Sequence, residues 1–212
     1  NALEESIVST LLEHKSILIY GEAGYGKTTI LAKSFLKHVE RFKSDNDYNM
    51  PFYLWLKDKN ANYHFDFSQY IDESFAENLN LQPYPFLDLS DISPCFYLDG
   101  FDELAEEIPS TSVKRISTSS IFSHPLLLTS RIQYVRRYLG NYDLMNHFAV
   151  QIKINKWDAE KAKGYINNFC AKKGTDKSFS ERVYDLLANN SELCSLLDSP
   201  LLITMLLWVI ES

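Results

Sequence analysis

Short apolar runs rich in β-branched and aromatic residues alternate with stretches of helical period along the first three-quarters of the chain. Ser16-Ile-Leu-Ile-Tyr20 reads as a buried strand closed by a Gly-rich turn. After it, Ile30, Leu31, Phe35, Val39 and Phe42 recur at helical spacing with Lys33, Lys37 and Arg41 on the other side, which predicts an amphipathic helix. Further strands are predicted at Phe52–Leu56, Cys95–Leu98, Leu126–Leu128 and Phe148–Ile152. Segments 64–80, 111–122 and 131–139 are long enough to cross over between parallel strands. The pattern implies a three-layer α/β fold around a central, mostly parallel sheet.

From Trp157 onward no strand pattern appears. Ala162, Tyr165, Ile166, Phe169 and Cys170 form one helical stripe, with Asp158 placed to cap its start and Gly174 to end it. Ser199-Pro200 supplies a cap and a first-turn proline for a last apolar helix. The expected division is an α/β domain over 1–155 and a small all-helical subdomain over 156–212.

Composition narrows the class. With 45% hydrophobic and 23% charged residues among 212, the chain supports a packed core. A net charge of −7 argues against broad binding to nucleic acid or anionic lipid. The longest apolar stretch, Leu201 to Ile210, falls well short of the roughly 20 residues a bilayer requires. Cys95, Cys170 and Cys194 are odd in number and widely spaced, which supports neither a disulfide framework nor a structural zinc site. A cytoplasmic protein with no membrane partner and no direct nucleic-acid signal is expected, and a start at Asn1 reads as an excerpt of something longer.

The chemistry concentrates in Gly21-Glu-Ala-Gly-Tyr-Gly26-Lys27-Thr28, which matches G-x-x-x-x-G-K-[ST] and stands between a predicted strand and a predicted helix. In such a loop Gly21, Gly24 and Gly26 let the backbone wrap phosphates. The N–H groups from Gly24 through Tyr25 to Thr29 then point inward at the positive end of a helix. Lys27 is placed for the β- and γ-phosphates and Thr28 for Mg²⁺. A second element should be an aspartate at the tip of a buried strand beside the first one, and Asp99 supplies it as the carboxylate on the Mg²⁺ side. Asp102 and Glu103, three and four residues on, are both placed to orient or deprotonate a water attacking the γ-phosphate. The spacing does not choose between them, and both also suit a helix N-terminus.

Gly21–Thr29 together with Leu98-Asp-Gly-Phe-Asp-Glu103 resembles the NACHT domain of the STAND class of P-loop NTPases. Leu126-Leu-Leu-Thr-Ser-Arg131 is similar to that family's sensor strand, which implies that Arg131 touches the γ-phosphate. Ser199-Pro200-Leu-Leu is similar to the segment of its helical annex whose proline, here Pro200, packs on the nucleotide base. The resemblance implies ATP/ADP and Mg²⁺ as cofactors, slow hydrolysis, and a switch from a closed monomer to a homo-oligomer in the full-length protein. It also implies roles in innate immunity or antiphage defence, with the activating ligand and the effector outside these residues.

Other readings stay open on the sequence. Asn155-Lys156-Trp157-Asp158 spells the N-K-x-D with which GTPases read guanine, although position 102 is Asp where a GTPase wants Gly. A scaffold that holds ADP without turnover and a nucleotide kinase are the remaining alternatives; for the kinase only Arg136 and Arg137 offer lid arginines. The five histidines are scattered without a metal-ligand spacing.

Overall fold

All five predicted strands form, as β1 (Ile17–Tyr20), β2 (Met50–Trp55), β3 (Pro94–Asp99), β4 (Leu126–Ser130) and β5 (Val150–Lys153). They make one sheet in the order β2-β3-β4-β1-β5, and every neighbouring pair is parallel. The computed structural model describes residues 2–44, 49–56, 93–105, 120–139, 144–175 and 177–211. The crossover expected over 64–80 and most of that over 111–122 lie outside them.

The α-helices among the described residues are α1 (Ala2–Leu12), α2 (Lys27–Ser44), α3 (Phe101–Ala105), α4 (Ile132–Tyr134), α5 (Ala159–Lys172), α6 (Lys177–Ala188) and α7 (Pro200–Glu211). The chain divides into two compact units. One holds Asn1–Gly21 and Lys27–Lys153; the other holds Ile154–Ser212 and, from the phosphate loop, Glu22–Gly26.

In the first unit the register lines up a row of leucines across four strands: Leu54 on β2, Leu98 on β3, Leu128 on β4 and Leu18 on β1. All four belong to one core cluster, closed by Phe101, Ile121, Leu144 and Phe148. Side chains alternate across a strand, so Tyr97 and Asp99 turn to the opposite face, where Phe35 of α2 meets the rings of Tyr53 and Tyr97 edge-on at 5.5 and 5.4 Å. Pro51 is tolerated because β2 lies at the sheet's edge, where a missing N–H breaks no ladder.

Two features depart from the sequence reading. The strand carrying Asp99 is not beside β1, because β4 intervenes and pairs with both. The N-terminal helix α1 was not anticipated; it buries Ile7, Val8 and Leu11. On the basic side of α2, Lys37 reaches Glu5 of α1 at 2.8 Å and Arg41 pairs with the same carboxylate.

The second unit has its own core, in which Ala162, Ile166 and Cys170 of α5 meet Val183, Leu187, Ile203 and Leu207. The predicted stripe and caps of α5 are present. Asp158 accepts a hydrogen bond from the Lys161 amide at 2.8 Å, and Gly174 follows the helix with φ +74°.

Candidate active site

The carboxyl end of a parallel sheet is where loops leave strands and helices begin, and ligands of open α/β folds bind there. At this edge β1 gives way to the glycine loop, and the Gly21 amide donates to the Ser130 carbonyl at the end of β4 (3.3 Å). The loop runs to Lys27, the first residue of the 18-residue α2, whose leading amides provide the partial positive charge that anions seek. Gly26 has φ +94°, and a Cβ there would meet nothing within 4 Å. Its requirement for glycine is therefore backbone conformation, with open space left beside it. The Lys27 ammonium donates to the Gly21 carbonyl at 2.9 Å, which folds the side chain back over the loop. Thr28 and Thr29 lie exposed on the first turn of α2, and Tyr25 is half-buried.

Gly24 is held differently. Its carbonyl accepts hydrogen bonds from the Ser199 hydroxyl and the Leu201 amide, both at 3.4 Å, so Pro200 lies alongside the loop. Gly24 has φ +76°, and a Cβ there would stand 2.7 Å from Ser199 Oγ and 3.2 Å from Leu201 Cβ. Only glycine permits both the dihedral and the approach. Ser199 also caps α7, its hydroxyl accepting from the Leu202 amide at 3.5 Å.

Asp99 ends β3 with 5% of its surface exposed. Its two carboxylate oxygens have separate partners: the Thr129 hydroxyl of β4 donates to Oδ1 at 2.5 Å, and the Tyr53 hydroxyl of β2 donates to Oδ2 at 3.3 Å. Thr129 Oγ1 in turn accepts the Gly100 amide at 2.9 Å, fixing the turn that follows. Burial, then the charge of Asp99, push the Tyr53 phenol up to about 12, so it remains a donor throughout the physiological range. Tyr53 and Thr129 were not singled out in the sequence, since both are ordinary strand formers.

The acidic pair separates. Asp102, 4% exposed, accepts the Arg131 backbone amide on Oδ1 (3.0 Å) and pairs with Arg131 Nε through Oδ2 (2.9 Å). Glu103 is half-buried, and a Cβ on Gly100 would come 3.4 Å from Glu103 Cδ and 3.5 Å from Trp55 Nε1. Its carboxyl group is thus folded back over the turn after Asp99. Arg136 and Arg137 are exposed. Asp158 is exposed, and the Lys161 amide that it caps holds its carboxyl below the usual range.

No protein-family model matches the chain, and no curated protein matches it. Solved structures do. Orc1 of Aeropyrum pernix in complex with DNA is 16% identical with a TM-score of 0.60, covering 81% of this chain and 49% of its own. DnaA from Aquifex aeolicus bound to AMPPCP is 15% identical with a TM-score of 0.54, covering 99% of this chain and 59% of its own. A DNA replication initiation factor gives a TM-score of 0.60 over the same shares. The fold is that of a P-loop NTPase. This chain spans about half to three-fifths of the length of those neighbours. Within the P-loop NTPase fold, the residues at the carboxyl ends of β1, β3 and β4 offer hard oxygen donors, a lysine and helix amides, a set that suits a magnesium–polyphosphate pair.

Proposed function

We propose that this chain is the nucleotide core of a STAND-type signalling ATPase of the NACHT kind, which binds ATP with Mg²⁺ and hydrolyses it slowly. The observation that carries this reading is the alignment of the glycine loop, Asp99 and the Gly100-to-Glu103 turn along one edge of the sheet. Lys27 and the amides from Gly24 to Thr29 bind the phosphates. Thr28 and Asp99 would hold Mg²⁺, which when bound offsets charge on the phosphate oxygens. The acidic turn after Asp99 supplies the carboxylate that orients the attacking water, and Pro200 packs on the base beside the loop. In the full-length protein, nucleotide state sets the change from closed monomer to homo-oligomer in an immune or antiphage response.

Adenine is favoured over guanine because Asp158, the residue a GTPase would use, is occupied as the cap of α5. The DNA bound to the Orc1 neighbour is not carried over, given this chain's net charge of −7. Competition of ATP against GTP for a fluorescent nucleotide tests the base; displacement by GTP alone would replace this reading with the guanine one. Lys27→Ala removes a charge-assisted contact and should weaken ATP binding roughly 10- to 100-fold by calorimetry. Unchanged affinity would refute the phosphate-loop assignment. Binding without any phosphate release in the parent would reduce the protein to a nucleotide-holding scaffold.

A further inference from the structure

The two carboxylates after Asp99 have been equivalent in every argument from spacing, but their surroundings are not. Asp102 is buried, and both of its oxygens are engaged by a single residue, Arg131, one through the backbone amide and one through Nε. A carboxylate with both oxygens committed to one partner is poorly placed to take a proton from water. It is well placed to fix where that partner's side chain goes. Arg131 begins immediately after β4, and its side chain keeps 37% of its surface exposed although its inner nitrogen is paired with a buried oxygen. A guanidinium carries four further N–H donors on its two outer nitrogens, in a plane that the Nε contact orients. The Asp102 carboxylate also offsets the positive charge, so the side chain does not need a bound anion to stay folded at the sheet edge.

We infer that Asp102 is a positioning residue for Arg131: it holds the guanidinium by its inner edge so that the outer nitrogens meet the terminal phosphate of a nucleoside triphosphate. Water activation then falls to Glu103, whose carboxyl group folds over the turn beside Asp99. Discrimination of triphosphate from diphosphate therefore depends on Asp102, while hydrolysis depends on Glu103. This deepens the proposed function and rests on it.

The test measures the affinity of the 212-residue chain for a non-hydrolysable ATP analogue and for ADP, both with Mg²⁺, and reads their ratio alongside turnover of ATP. Arg131→Gln should lower the ratio about tenfold, the loss of one charge-assisted contact. Asp102→Asn should lower it by a similar factor while ADP affinity holds, and the double variant should be no worse than Arg131→Gln alone. Glu103→Gln should leave the ratio in place and abolish turnover. Where Asp102→Asn melts far below the parent, Asp102→Ser, a smaller side chain that still offers an acceptor to the Arg131 amide, provides the same reading. An unchanged ratio in a folded Asp102 variant, or losses that add in the double variant, would overturn the inference and leave the proposed function standing. A parent that binds neither nucleotide would overturn both.

Discussion

Thr129 shows how much a single strand residue can carry. Its hydroxyl donates to Asp99 and accepts from the Gly100 amide, all within buried surroundings. Thr129→Val keeps the shape and removes both bonds, leaving an amide and a carboxylate oxygen without their partner. A loss of about 2–4 kcal/mol in urea unfolding is expected, together with a weaker Mg²⁺ dependence of nucleotide binding. Gly24→Ala acts through backbone and space together, since the new Cβ would collide with Ser199 Oγ. It should lower the melting temperature of the second unit and weaken nucleotide binding, whereas a variant that melts and binds like the parent would show the loop to be malleable there. The local form of the glycine loop was legible in the sequence because its glycines and lysine act on neighbours in the chain. Thr129 and Tyr53 were not, because what they touch is decided by which strand lies beside β3. The different surroundings of Asp102 and Glu103 were hidden for the same reason: Arg131 reaches Asp102 across the sheet edge, and spacing along the chain does not encode that.

Among the elements, the five strands were readable from short apolar runs, and α5 from its stripe and caps. Lateral order was not readable. Nothing in Leu126–Ser130 announces that it enters between β1 and β3; that follows from three-dimensional pairing, which residue patterns within each strand do not specify. The helix α1 is encoded in the same way as α5, since Leu3, Ile7, Val8 and Leu11 recur at helical spacing, although the sequence reading began at the first strand. Within Asn155-Lys156-Trp157-Asp158, Asp158 serves as the cap of α5. Asp158→Ala should therefore lower the thermal stability of the helical unit and leave the ATP-to-GTP preference unchanged. A variant that instead loses selectivity between the bases would restore the guanine reading.

At the scale of the whole molecule, a buried histidine ties the first unit's stability to pH. Among the described residues all four histidines lie in the first unit. His38 is fully buried on α2 against the Tyr97 hydroxyl (3.0 Å), and burial lowers its pKa to about 4. Unfolding exposes it to water and returns it to about 6.5, so the unfolded chain binds the proton more readily between those values. The stability this neutral imidazole allows is fully present above pH 6.5 and is lost as pH falls toward 4, by up to about 3 kcal/mol. Burial lowers His124 in the same direction. Acid should therefore weaken the α/β unit as pH falls from 6.5 toward 4. His38→Gln, if it folds, should flatten the pH dependence of urea midpoints between pH 6.5 and 4; a slope equal to the parent's would assign the effect to other groups.

One carbonyl oxygen joins events that are 175 positions apart along the chain. Because the Gly24 oxygen receives both Ser199 and Leu201, any rotation of that peptide unit must free the opening amide of the last helix. Deuterium uptake at Leu201 thus becomes a distant gauge of loop shape, readable without a label on the loop itself.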